Sequence, residues 1–260
     1  NHLNGYVTHL SPYITHGVIT LPRVAEIILE NYSFDDSYKI IQELAWREYY
    51  QKIWKTIKQQ IWRDIRNNQP NVANTKIPKA LITANTGITT IDEQLHALFE
   101  RGYIHNHARM WIASLATSFG KSYWQYPSKW LYYHLIDGDI ASNTLSWQWI
   151  AGTFSNKQYI FNQDNVNKYS SSNQKGTFID YTYENLKRDF LKKAKIPLTL
   201  QQLDAPKLTT PLEILEAGNL QRILNDQKEE MPILLYNHWS IDPKWRKDQP
   251  GTKILLLEPD

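Results

Sequence analysis

Asp137-Gly138-Asp139-Ile140-Ala141-Ser142-Asn143-Thr144-Leu145-Ser146-Trp147-Gln148-Trp149-Ile150-Ala151-Gly152 is the stretch on which the fold turns. Asp137-Gly138-Asp139 is a turn signal. A helix or tight turn carrying Trp147 and Trp149 is expected to follow. Asp137, Asp139 and Asn143 put three polar side chains on or near this turn, where they form either a solvated turn or a partner for Arg109 upstream. A magnesium or calcium ion is conceivable on chemical grounds, but the loop lacks EF-hand spacing.

Working outward, the chain reads mainly as helices. Pro22 opens an apolar helical pattern through Arg23-Val24-Ala25-Glu26-Ile27-Ile28-Leu29. From Ser37 to about Arg66 there is neither Gly nor Pro, and Ile40, Leu44, Ile53, Ile57 and Ile61 fall along one stripe; Asn67-Asn68-Gln69-Pro70 ends it. Residues 71–88 read as a loop. Thr90 with Glu93 reads as a capping box for a helix that stops at Gly102. Further helices are expected over 106–118, 127–135, 184–195 and 211–225. Residues 152–182, rich in Asn, Ser and Gln, read as a long loop. Ile233-Leu234-Leu235-Tyr236 and Ile254-Leu255-Leu256-Leu257 read as short buried strands. The fold class expected is all-α. Residues 1–200 form the helical domain, and 201–260 form an extension that begins an α/β unit.

Composition narrows the function. The 260 residues carry a net charge of only +3, so nucleic-acid binding would need a local basic patch. No apolar run approaches the ~18 residues of a membrane span. The absence of cysteine excludes disulfides and thiolate metal sites, and it fits a reducing cytosol. Ten Trp, sixteen Tyr and seven Phe make an aromatic-rich chain. They serve either a large core with amphipathic rims or stacking on a flat ligand or on bases. Neither a Walker A nor a Rossmann glycine pattern is present. His105 and His107 lie two apart, which on a helix points them to different faces, and no metal site is expected.

Two helical faces mix chemistry. Glu43, Trp46, Arg47 and Tyr50 share a face at i, i+3, i+4 and i+7, as either an ion-paired aromatic core rim or a binding surface. Asn106, Arg109 and Met110 make a second such face, as either an N-cap with a surface Arg or part of a site.

Taken together and in order, these segments resemble the FAD-binding domain of the photolyase/cryptochrome family. Leu10-Ser11-Pro12-Tyr13-Ile14-Thr15-His16-Gly17 is similar to the family's LSPYLxxG. Glu43-Leu44-Ala45-Trp46-Arg47-Glu48-Tyr49-Tyr50 resembles ELxWREFY. Thr86-Gly87 with Asp92 resembles TGxPxxDAxMR, and His105-Asn106-His107-Ala108-Arg109-Met110 resembles HNRxRM. The opening stretch matches DGDxASNxxxWQWxAG. The resemblance covers about residues 3–152 and, more weakly, 153–195. It departs at Val7, at Leu95-His96 and at Tyr159-Ile160-Phe161-Asn162-Gln163-Asp164. Near Asn71, where the family's outer relay tryptophan would fall, this chain has none.

The resemblance implies a cofactor, FAD, bound by Thr8, His9, Leu10, Ser11, Ile40, Arg47, Arg109, Asp137, Gly138, Asp139 and Asn143. Within that set, Thr8, Leu10 and Ser11 hold phosphates, Arg109 and Asp137 pair over the flavin ring, and Asn143 sits by its reactive nitrogen. It implies a lyase that splits pyrimidine dimers in damaged DNA with light, with Glu43, Trp46, Asn106, Met110 and Trp149 as catalytic residues. Arg47, Tyr50 and His107 join Glu43, Trp46, Asn106 and Trp149 in contacting DNA. Trp147 and Trp124 carry electrons. The alternatives are a cryptochrome-like light sensor that binds FAD without repair and a flavin module that works beside a partner domain. The remaining expectations are a cytoplasmic monomer and an antenna domain lying elsewhere than in this stretch.

Overall fold

The computed structural model describes Leu3, Gly5 and residues 7–192, 198–202, 233–237 and 248–256. The helix expected over 211–225 lies outside the described residues. The architecture is all-α around one helix: α1 (Ser11–Thr15), α2 (Leu21–Asn31), α3 (Phe34–Ile57), α4 (Lys79–Ile82), α5 (Thr89–Arg101), α6 (Asn106–Ser114), α7 (Gln125–His134), α8 (Ile140–Ala151), α9 (Gln163–Ser170) and α10 (Tyr183–Leu186).

The quoted stretch forms the centre. Asp139 is the N-cap of α8, its carboxylate accepting from Ser142 N at 2.7 Å. Gly152 ends the helix in the left-handed region at φ 83°. Between these caps Ala141, Thr144, Leu145, Trp147, Gln148, Ile150 and Ala151 are all buried, so α8 is covered nearly all round, as an apolar helix inside a bundle must be. It packs on α3, α6 and α7. The main core beneath it is aromatic: Trp111, Trp124, Trp147, Phe119 and Phe161 are among its fully buried side chains. Gln148 is buried within this apolar helix and is a hydrogen-bond staple. Its Nε2 donates to Ile61 O at 2.8 Å, and its Oε1 accepts from Ile65 N at 3.2 Å and Thr153 Oγ1 at 2.9 Å.

Several sequence expectations need correction. The helix expected to reach Arg66 breaks at Lys58, where φ is 49°; a 3₁₀ turn, Lys58–Trp62, follows. The break turns Ile61 into a small second core with Ala141 and Leu145. Thr90 and Glu93 do not cap α5. Asp92 instead reaches back to Thr86 N and Thr86 Oγ1, both at 2.7 Å, while Thr90 bonds Ser170. Residues 152–182 are not all loop: Asn162 caps α9 through Asn165 N, and Val166 anchors that helix in the core.

The expected helix at 106–118 is α6 followed by a buried π turn, Leu115–Phe119, and His105 rather than Asn106 is its N-cap. The region read as loop at 71–88 holds α4 and a short strand β1 (Ile77–Pro78), antiparallel to β2 (Leu200–Gln201). Of the helix expected over 184–195, residues 184–192 are helical in α10 and the π turn Lys187–Lys192, and 193–195 lie outside the described residues. The two apolar runs near the end are strands. β3 (Ile233–Asn237) pairs in parallel with β4 (Thr252–Leu256), in register Ile233 with Thr252.

Gly102 shows why α5 stops where it does: it sits at φ 65°, and a Cβ there would meet Ile136 Cγ2 at 2.5 Å.

Replacing Gln148 by Leu removes the staple's partners and leaves Ile61 O and Ile65 N without that partner. The expected cost is roughly 2–4 kcal/mol, from one to two backbone groups losing their bonds in the core. Urea unfolding of the Gln148→Leu protein measures it; an unchanged midpoint would contradict the role.

Candidate functional site

Two cavities open against α3 and α8. The inner one, about 320 Å³, is lined by Thr8, Leu10, Ser11, Ile14, Val24, Ile40, Glu43, Leu44, Arg47, Tyr103, Ile104, Asn106, Arg109, Met110, Ala113, Leu131, Leu135, Asp137, Asp139, Ser142, Asn143, Ser146, Trp147 and Ile150. This explains why the apolar stripe of α3 is only half-buried: Ile40 and Leu44 face a cavity rather than a neighbouring helix. The lining is apolar with a few convergent polar groups, the pattern of a small-molecule site.

The polar groups are tied together. Asp137 is 3% exposed and is held by one guanidinium nitrogen of Arg109, at 2.9 and 2.8 Å to its two oxygens. Ser11 Oγ donates to Asp137 Oδ2 at 2.6 Å, and Thr15 Oγ1 donates to the Asp137 carbonyl at 3.1 Å. Arg109 Nε donates to Ile104 O at 3.1 Å, and its guanidinium lies 5.6 Å from the Tyr103 ring centroid. Arg47 donates to Thr15 Oγ1 at 2.8 Å and lies 3.5 Å from Asp139. Gln51 Nε2 donates to the same Asp139 oxygen. Two carboxylates therefore face two guanidiniums, so the buried charges of these ion pairs balance. Asn143 spends its amide on Ser128 O at 3.0 Å.

The outer cavity, about 820 Å³, is a vestibule lined by Lys39, Glu43, Trp46, Arg47, Tyr49, Tyr50, Arg66, His105, Asn106, His107, Ser142, Ser146, Trp149 and Phe154. Glu43, Arg47, Asn106, Ser142 and Ser146 line both cavities, so the two adjoin there. Trp46 and Trp149 are 49% and 43% exposed, unusual for such large rings. Glu43 pairs with Lys39 at 3.2 Å. The rings of His105 and His107 are parallel within 2°, and His107 stacks on Tyr169 at 4.3 Å. Arg66 lies over Phe154.

Most residues singled out in the sequence come together here. Thr8, Leu10, Ser11, Ile40, Arg47, Arg109, Asp137, Asp139, Asn143 and Met110 line the inner cavity; Trp46, Tyr50, His107 and Trp149 line the vestibule; Glu43 and Asn106 line both. Trp147 walls the inner cavity, and Trp124 is fully buried. Two residues stand apart. His9 (φ 52°) lines a separate cavity beside Tyr103. Gly138 lines none of these cavities; it lets the turn press on α7, where a Cβ would meet Tyr132 O at 3.1 Å. Thr15 and Gln51 were not foreseen. Gln51 had a signal, since Glu43, Arg47 and Gln51 repeat at i, i+4 and i+8 on one face.

A cavity with flat apolar walls, a neutralised polar edge and an aromatic vestibule suits a planar conjugated cofactor facing a second ligand. Residues 40–204 match the model of the FAD binding domain of DNA photolyase, and the chain belongs to that family. It is 27% identical over 147 residues to the deoxyribodipyrimidine photo-lyase of Streptomyces griseus, covering 56% of this chain and 32% of that protein. It is 29% identical over 182 residues to the mitochondrial deoxyribodipyrimidine photo-lyase of Saccharomyces cerevisiae, covering 62% of this chain and 31% of that one. These matches span about a third of each relative. The fold is shared with the cryptochrome of Synechocystis sp. PCC6803 (TM-score 0.55, 20% identity, 63% of this chain and 36% of that one). It is also shared with the archaeal photolyase from Sulfolobus tokodaii solved with two FAD molecules (TM-score 0.55, 23% identity, 64% and 38%). The cofactor is FAD, and the inner cavity fits it: apolar walls for a ring system, and hydroxyl and amide groups at its edge. No helix among the described residues is long and apolar enough to cross a membrane.

Two predictions follow from the charges. Arg109→Leu strands the buried Asp137 carboxylate and is expected to cost about 3–5 kcal/mol, the scale for breaking a buried pair; a wild-type melting temperature would contradict it. Burial, reinforced by His107 and Arg109, holds the His105 imidazole below the usual histidine range, and burial does the same to His134. Both stay neutral in the folded chain at a pH where the unfolded chain protonates them. Stability is therefore full above the unfolded value of ~6.5 and falls as pH drops through and below it. Urea midpoints at pH 7.5 and 5.5 measure the drop, and His134→Gln should shrink it; equal drops in both proteins would refute the contribution of His134.

Proposed function

We propose that this chain is the FAD-binding, catalytic part of a light-driven DNA-repair lyase acting on pyrimidine dimers. The observation that carries the reading is that the inner cavity and the vestibule adjoin, with Glu43 and Asn106 lining both. A flat cofactor inside and a pair of bases outside would meet there.

Reduced FAD, held in the inner cavity, would supply the one-electron chemistry of blue-light-driven splitting of the cyclobutane ring. The protein's part is orientation and electrostatics. Arg109 and Asp137 hold the cofactor ring's polar side, Asp139 and Asn143 approach its edge, and Thr8 and Ser11 offer hydroxyls to its phosphates. Trp46 and Trp149 wall the dimer. Stacking on such rings is worth ~1–3 kcal/mol per base, which offsets much of the few kcal/mol needed to extrude a damaged pair. The Glu43 carboxylate accepts from a pyrimidine imide N–H, and the Asn106 amide matches the adjacent carbonyl. Met110 gives an apolar contact at the cofactor's face. Arg66 and Lys39 are the vestibule cations placed to meet phosphates. The same reading assigns the light chemistry to residues 1–200 and leaves 201–260 as an extension.

The test uses the FAD-loaded, chemically reduced chain and an oligonucleotide with one thymine dimer. Thymine absorbance should recover in blue light and not in the dark. Glu43→Ala should lower the quantum yield at least several-fold with flavin still bound. No recovery with reduced flavin in place would replace repair by a light-sensing role on the same cofactor site.

A further inference from the structure

The two carboxylates of the inner cavity are satisfied in different ways. Asp137 meets a guanidinium directly, with one nitrogen of Arg109 at 2.9 and 2.8 Å from its two oxygens. Asp139 is held mainly by neutral donors. Its Oδ1 accepts from Ser142 N at 2.7 Å, and its Oδ2 accepts from the side-chain amide of Gln51. The Arg47 nitrogen that approaches Asp139 is committed to Thr15 Oγ1 at 2.8 Å and stands 3.5 Å from Oδ2. The Asp139 side chain is only 8% exposed, and it lines the inner cavity. Gln51 lines neither that cavity nor the vestibule. It stands behind Asp139 on α3, one turn beyond Arg47. Whatever it does to a ligand in the cavity, it does through that carboxylate.

A guanidinium and a neutral amide leave different charges behind. The guanidinium cancels the carboxylate's charge. The amide fixes the carboxylate's direction and tempers its charge with the positive end of a dipole, but an anion stays in place. Where little water screens it, a ligand at the cavity edge feels that anion strongly. We propose that Gln51 is a positioning residue that sets the reduction potential of the flavin through Asp139. This rests on the reading of the inner cavity as the flavin site, with Asp139 at the ring's edge. Protein charges beside a cofactor ring tune its electronics. Reduction adds electrons to the ring, so an untempered negative charge beside it disfavours the reduced form. The Gln51 amide therefore raises the potential and favours the reduced cofactor from which the proposed chemistry starts. A purely structural Gln51, pinning α3 to the start of α8, would account for the hydrogen bond. Its loss would change stability but would not move the potential in a direction set by charge.

The test is the midpoint potential of the bound flavin, read from its absorbance in the FAD-loaded full chain equilibrated with a reference dye. Gln51→Leu removes the donor and should lower the potential. Gln51→Lys keeps a donor and adds a positive charge, and should raise it. In an Asp139→Asn background the Gln51→Leu shift should disappear, because no carboxylate charge remains to be tempered. If Gln51→Leu does not fold, the upward shift in Gln51→Lys decides. Unchanged potentials, shifts of one sign in both variants, or a Gln51→Leu shift that survives in Asp139→Asn would overturn the proposal. Asn143→Asp separates this from the reading beneath it, since it adds a charge to the same cavity from α8 without touching Gln51. A potential lowered by Asn143→Asp but unmoved by the Gln51 variants would overturn the role of Gln51 and leave the flavin in the inner cavity. A potential unmoved by any of them would overturn both.

Discussion

The Asp137 carboxylate is almost wholly withdrawn from water, and much else is arranged to make that tolerable. An isolated buried carboxylate costs several kcal/mol even after relaxation. Arg109 from α6 neutralises it, Ser11 from α1 adds a third hydrogen bond, and Thr15 fixes the Asp137 carbonyl. Two segments far from it in sequence, α1 and α6, are thereby pinned to one turn, and that turn aims Asp139 at the start of α8. The second ion pair, Arg47 with Asp139, is coupled to the first through Thr15. The polar side of the inner cavity is thus held in place by the protein's own hydrogen bonds, which is what a preorganised cofactor site requires.

Aromatic residues divide by task. Trp111, Trp124 and Trp147 are core, and Trp147 is also cavity wall. Trp46 and Trp149 are left open to solvent at the vestibule. The core-filling reading of the composition describes the first set, and the second set is the one that stacking on a ligand would use. Trp147 and Trp149 illustrate the split: two residues apart on one helix, they point to opposite sides, one inward and one outward. Gln148, between them, holds α8 to the segment that follows α3, at Ile61 and Ile65, and keeps that division fixed.

Local signals made much of this legible. The Asp139 cap, the Gly152 stop and the apolar run between them announce α8, and the i, i+4 spacing of Glu43 and Arg47 marks the cavity-lining face of α3. The pairing of Arg109 with Asp137 was among the alternatives the sequence left open. What stayed hidden rests on contacts between distant residues or on conformations no residue type announces. Ser11 meets Asp137 across 126 positions. Lys58 takes a left-handed conformation where glycine would have advertised a break. Asp92 reaches back six residues to Thr86, a spacing unlike that of a capping box. α9 escaped because its cap, Asn162, sits in a run of polar residues and little more than Val166 anchors its apolar side.

The central claim is that a cofactor and a pyrimidine dimer meet where the two cavities adjoin. A crystal structure of the FAD-loaded chain with a dimer-containing oligonucleotide tests it most directly. The account predicts the flavin ring beside Arg109, Asp137 and Asn143, and the dimer between Trp46 and Trp149 within reach of Glu43 and Asn106. A flavin seated elsewhere, or a vestibule left empty while DNA binds another face, would contradict it.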